Sequence, residues 1–135
     1  MATVLYVDDE PAIRRLVRRW FEKRGVTIIT AESVAEAQRL FTEHEVAGAF
    51  VDVWLGRETG FDLYAWIVEH RPQLKDRIVF ITGDVDAGVP EGTQLQALGR
   101  IVIAKPFELE DLELHVREWA RAPARRSGPV AQRSP

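Results

Sequence analysis

The chain predicts an α/β fold, a doubly wound five-stranded parallel sheet with helices on both faces, and three observations predict it. Five short apolar stretches rich in β-branched residues alternate with longer segments of helical periodicity. The stretches are nearly continuous rather than alternating, as expected of parallel strands covered on both faces. Four of them end in reactive polar residues: Asp8 and Asp9, Asp52, Thr82, and Lys105 with Pro106. In open parallel sheets the ligand crevice lies outside the carboxyl ends of the strands, so these side chains are expected to converge.

Val4 to Val7 forms the first strand. In the helix that follows, Ile13, Leu16, Val17, Trp20 and Phe21 recur at i, i+3, i+4, i+7 and i+8, with Pro11 tolerated in the opening turn and Gly25 as the stop. Val26 to Ile29 is the second strand. Ser33 opens the second helix, Glu36 three residues on completes a capping box, and Ala37, Leu40 and Phe41 supply the apolar stripe. Val46 to Val51 is the third strand, followed by a helix from about Gly60 to His70 that uses Leu63, Trp66 and Ile67. Ile78 to Ile81 is the fourth strand.

Gly83, Gly88, Pro90, Gly92 and Gly99 crowd the next segment, and each glycine in a helix interior costs roughly 1 kcal/mol relative to alanine. A short or mobile helix around residues 91–98 is expected there. Ile101 to Ile103 is the fifth strand, and Leu109, Leu112, Val116 and Trp119 stripe the last helix. After Arg121 the composition turns to Ala, Pro, Arg, Ser and Gly, which buries too little apolar surface to offset ordering entropy. One domain over residues 1–121 and a disordered tail over 122–135 are the expected organisation.

Composition narrows the function. At 135 residues, 46% apolar and 29% charged, the chain reads as one globular domain. No apolar run is long enough to span a bilayer, and the N-terminus enters a strand without a basic leader, so a cytoplasmic protein is expected. With no cysteine, carboxylates are the natural ligands for a hard cation. A net charge of −3 gives no whole-protein attraction to nucleic acid.

Three carboxylates within about 5 Å would repel by a few kcal/mol per pair at an effective dielectric near 20. A divalent hard cation offsets that repulsion, and an incomplete all-oxygen shell suits Mg²⁺, with Mn²⁺ able to substitute. Lys105 adds a point charge and Thr82 a hydroxyl donor, so the set makes a cradle for a phosphoryl group. Asp52, on the strand expected to be central, is the candidate nucleophile that would form an acyl phosphate. Taken singly, a strand-end Asp is usually a cap and a Lys-Pro a loop; the ordered set carries the reading.

The Asp8-Asp9-Glu10 turn, Asp52 eight residues before Gly60, Thr82-Gly83-Asp84 and Lys105-Pro106-Phe107 together resemble the receiver domains of bacterial two-component response regulators, over residues 3 to about 120. The resemblance implies a flavodoxin-like three-layer fold with strand order 2-1-3-4-5. It implies a phosphoprotein of a phosphorelay, with Asp52 as phosphoacceptor and Thr82 and Lys105 on the phosphoryl oxygens. Asp9 and Asp52 are implied as direct metal ligands, Asp8 as a ligand through water, and the Trp54 backbone carbonyl as a third protein ligand. Such a domain is not an enzyme beyond catalysing its own phosphotransfer and slow autodephosphorylation.

The sequence also departs from the family pattern. Val102 stands where Tyr or Phe is common, and Gly56 replaces the usual Pro, which predicts a looser loop from Leu55 to Glu58. Trp54 is bulky for its place and is expected to act as an apolar lid or, with Asp84, to control the approach of hydrolytic water. His44, His70 and His115 are expected to be surface or cap residues.

Arg14, Arg15, Arg18, Arg19, Lys23 and Arg24 on the first helix make a basic face, read as solvated or as steering an acidic partner. The expected partners are a histidine kinase or histidine phosphotransfer protein and a downstream protein target, with no nucleic acid and no membrane. A stand-alone receiver is expected, monomeric or weakly dimeric on phosphorylation, signalling through the surface of the last strand and the helices flanking it. The alternatives are a receiver segment of a hybrid histidine kinase and a phosphorylation-independent docking module. An aspartyl phosphohydrolase is disfavoured because it needs a second acid where Trp54 stands.

Overall fold

Successive residues of the first strand serve two different cores: Leu5 and Val7 pack in one, Val4 and Tyr6 in the other. A pleated strand buried on both faces must do this, since its side chains alternate across the sheet. The structure, a computed structural model, describes residues 2–83 and 101–121. The helix expected at 91–98, Asp84 and the tail 122–135 lie outside the described residues.

In chain order the elements are β1 (Thr3–Val7), α1 (Pro11–Glu22), β2 (Thr27–Ala31), α2 (Val34–Glu43), β3 (Gly48–Asp52), β4 (Trp54–Leu55), β5 (Glu58–Thr59), α3 (Gly60–His70), a 3₁₀ turn (Pro72–Leu74), β6 (Ile78–Thr82), β7 (Ile101–Ala104) and α4 (Leu109–Arg121). Five strands pair in parallel in the order β2-β1-β3-β6-β7, while β4 and β5 form a separate antiparallel hairpin. Counting the five sheet strands alone, this is the expected order 2-1-3-4-5. The register of Val7 with Ala31 and Val51, and of Asp52 with Ile81, aligns the carboxyl ends along one edge.

The two cores follow from the helical stripes. Ala37, Leu40 and Phe41 of α2 and Leu63 and Ile67 of α3 cover one sheet face. Val17 and Phe21 of α1 and Leu112, Val116 and Trp119 of α4 cover the other. Fully burying a Val, Leu, Ile or Phe side chain in this way contributes about 1.5–3 kcal/mol of transfer free energy.

Three local details differ from the sequence expectation. Leu16 is 53% exposed, because the buried arc of α1 centres on Val17 and Phe21 and Leu16 lies about 100° round the helix from Val17. The capping box of α2 is half formed: Ser33 accepts from Glu36 N, but Glu36 Oε1 accepts from Glu32 N rather than from Ser33. The complete box is on α3, where Thr59 and Asp62 each accept the other's backbone N–H.

The segment after Asp52 is ordered by pairing. Trp54 pairs with Thr59 and Leu55 with Glu58, across a two-residue turn of Gly56 and Arg57. Gly56 has φ 66° and Arg57 has no positive φ, the pattern of a type II′ hairpin turn, which proline's fixed negative φ cannot enter. Glycine in place of proline thus permits a hairpin here.

Candidate functional site

Asp8, Asp52 and Lys105 each follow by two residues a side chain of the α1/α4 core, namely Tyr6, Phe50 and Ile103. Strand alternation therefore directs all three over the same sheet face, at the carboxyl edge. Asp8 and Asp52 are buried while Asp9 is exposed, and one carboxylate oxygen from each lies within 4.8 Å of the others.

Lys105 joins the set across the sheet. Its Nζ donates to Asp52 Oδ2 at 2.7 Å and lies 3.1 Å from Asp8 Oδ2 and 3.5 Å from Glu10 Oε1. The backbone that delivers it is fixed, since Lys105 N donates to the Thr82 carbonyl at 2.8 Å. Thr82 is itself buried and ends β6, one residue beyond Ile81, the register partner of Asp52. Trp54 N donates to Asp52 Oδ1 at 3.1 Å, whereas the residue as a whole is 46% exposed at the start of the hairpin.

Burial and neighbouring charge shift the two central groups of this pocket. Burial pushes the Asp52 carboxyl up to about 6; the Lys105 hydrogen bond opposes this, and the nearby Asp8 charge adds to it. Burial alone would lower the Lys105 ammonium, but its bonds to Asp52 and Asp8 more than offset that and raise it. The ammonium therefore stays protonated and bridges two acids. The donor set is all oxygen, partly exposed on the Asp9 side, and neutralised among the described residues by one cation, so the chemistry fits a hard divalent ion.

Several site residues escaped the sequence reading. Tyr6, fully buried, donates from its hydroxyl to Asp8 Oδ2 at 2.9 Å, and burial together with Asp8 raises its phenol well above the ordinary range. The signal was its place two residues before Asp8 on the same strand face. Glu10, read only as part of the acidic turn, donates its backbone N–H to Asp8 Oδ1 at 2.9 Å. Arg14, counted with the solvated face, instead donates to the Asp8 carbonyl at 2.6 Å and reaches Glu32 at 3.5 Å. Arg24 stacks over the Trp20 ring at 3.4 Å, while Arg15, Arg18, Arg19 and Lys23 are exposed.

Val102 is half-buried against the α2/α3 core. His115 is not a surface group: it is half-buried with its ring 6.3 Å from Phe50 and 6.1 Å from Trp119, and burial lowers its pKa. His70 stacks on Trp66 at 4.6 Å.

Comparison with known proteins places the chain among relatives of one kind. The sequence profile of the response regulator receiver domain matches residues 4–117. The alginate biosynthesis transcriptional regulatory protein AlgB of Pseudomonas putida is 32% identical over 111 residues, covering 82% of this chain and 24% of that protein. The photosynthetic apparatus regulatory protein RegA of Cereibacter sphaeroides is 40% identical over 80 residues, covering 59% of this chain and 42% of that protein. The chain thus spans less than half the length of these two relatives. Among solved structures, the chemotaxis protein CheY4 of Vibrio cholerae has a TM-score of 0.73 at 28% identity over 87% of this chain and 98% of that one. TrrA of Thermotoga maritima, solved with Mg²⁺ and BeF, has a TM-score of 0.71 at 24% identity over 88% of this chain and 99% of that one.

Proposed function

The chain belongs to the response regulator receiver domain family, and from that premise we propose that Asp52 is its phosphoacceptor, served by Lys105, Thr82 and a cation held by the neighbouring acids. The observation that carries the reading is the meeting of Lys105 Nζ with Asp52 Oδ2 at 2.7 Å inside a cluster of three carboxylates.

Asp52 acts as the nucleophile. A carboxylate oxygen attacks the phosphorus of a phosphohistidine, the phosphorus–nitrogen bond breaks, and the imidazole leaves while an acyl phosphate forms. Lys105, already beside Oδ2, meets the charge that grows on the transferring oxygens, and the Thr82 hydroxyl donates to one of them. The Trp54 N–H on Oδ1 fixes the orientation of the carboxylate. Asp8, Asp9 and Asp52, with the Trp54 carbonyl, are the residues to hold Mg²⁺ or Mn²⁺, Asp8 through water. When bound, the cation supplies charge neutralisation between the acids and the phosphoryl group.

The donor in this reading is a histidine kinase or histidine phosphotransfer protein, and the receiver passes its state to a partner protein. Among the described residues no helix is long and apolar enough to cross a membrane, in keeping with work in the cytoplasm. Transfer from a radiolabelled histidine phosphotransfer protein tests the proposal. Label is expected on the native chain in Mg²⁺ and absent with Asp52→Asn or excess chelator; equal labelling of the Asp52→Asn chain overturns it.

A further inference from the structure

Asp9 is exposed, and among the described residues one bond restrains its side chain: Gly56 N donates to Asp9 Oδ2 at 3.2 Å. The donor comes from the turn of the β4–β5 hairpin, 47 residues away in sequence. Proline at this position would have no N–H to give and could not adopt the φ of 66° that aims the turn. The hairpin is anchored at its other strand too, because Glu58 Oε1 accepts from Val34 N at the start of α2 at 3.2 Å. The turn is therefore a strut between α2 and the acid cluster.

We propose that the Gly56 backbone N–H is a positioning donor that presets Asp9 for the cation, and that the hairpin turn in this way sets the protein's Mg²⁺ affinity. An exposed Asp otherwise samples rotamers that point into solvent, and each binding event must first recover the productive one. A carboxylate has about four lone-pair sites, so the bond from Gly56 leaves capacity for the ion. The inference rests on the proposed cation site and names the backbone group that tunes it.

The test is Mg²⁺ titration by calorimetry of the native chain and three variants. An ester in place of the Leu55–Gly56 amide removes the donor while leaving glycine in the turn. Gly56→Pro removes the donor and the turn together. Gly56→Ala keeps the N–H, and its added Cβ meets nothing within 4 Å, so it reports the effect of backbone strain alone. The ester and Gly56→Pro are expected to bind Mg²⁺ about three- to tenfold more weakly, with Gly56→Ala within about twofold of native. In the metal-free native chain the Gly56 amide proton is expected to shift when Asp9 becomes Asn, a signature that turn stability alone does not produce.

Native affinity in the ester variant overturns the inference, as does an equal loss in the ester and Gly56→Ala. Should Gly56→Pro not fold, the ester decides alone. If the native chain binds no Mg²⁺, or Asp9→Asn binds it as tightly, the cation-site reading itself fails, an outcome separable from failure of the strut.

Discussion

The Lys105 ammonium stands 2.7 Å from Asp52 Oδ2, although 53 residues separate the two in sequence. The parallel sheet makes the meeting unavoidable: β3 and β7 flank β6, and each ends at the same edge. Lys105 also lies 3.1 Å from Asp8 Oδ2, so one cation spans acids from two adjacent strands.

Lys105→Met separates its two roles. Phosphorylation by a small phosphodonor is expected to slow by about 10²-fold, since a donor to the developing charge is lost. Mg²⁺ affinity is expected to rise, because a competing positive charge leaves the acid cluster. Unchanged rates, or weaker metal binding, contradict the assignment.

Stability of the metal-free protein depends on pH through Asp52. Its folded-state pKa of about 6 lies above its ordinary value, so the folded state holds the proton more tightly than the unfolded chain. The stabilisation this gives is complete below the ordinary carboxylate range and is lost as pH rises through about 6. Urea unfolding without metal is expected to show stability falling by about 1–2 kcal/mol from pH 4 to pH 7 relative to Asp52→Asn, with solvent screening allowed for. Parallel pH profiles for the two proteins count against the burial argument.

Tyr6→Phe keeps the buried ring and deletes the hydroxyl that donates to Asp8. A loss of about 1 kcal/mol in unfolding free energy is expected, with a native circular dichroism spectrum. No measurable loss would mean that water or Lys105 replaces the bond in full.

Gly60→Ala tests the close approach of α3 to the acceptor strand. A Cβ there would meet the Asp52 carbonyl oxygen at 2.5 Å and Val51 Cγ1 at 2.8 Å. The crowding is expected to cost about 1–3 kcal/mol and to slow phosphorylation by displacing Asp52. Calorimetric melting and the phosphorylation rate together check this; native values in both refute it.

The strand-end residues were legible in the sequence because parallel topology converts chain order into spatial convergence: Asp8, Asp9, Asp52 and Lys105 needed only the fold class to be brought together. The alternative uses of single residues were not legible. Tyr6 reads as ordinary packing in a buried strand until its hydroxyl is seen on Asp8. Arg14 belongs to a basic run by composition but to the β1–α1 loop by contact. Gly56 was readable as a missing proline, yet the N–H it restores is a backbone group that no residue pattern displays. His115 shows the same limit, since a lone helical histidine reads as a surface or cap residue until Phe50 and Trp119 are seen around it.

Whether Asp52 accepts a phosphoryl group is read from the intact mass of the protein after incubation with Mg²⁺ and acetyl phosphate. One added phosphoryl group is expected on the native chain, absent when a chelator is present throughout the incubation and absent from Asp52→Asn. A native chain that gains no mass, or an Asp52→Asn chain that gains as much, would contradict it.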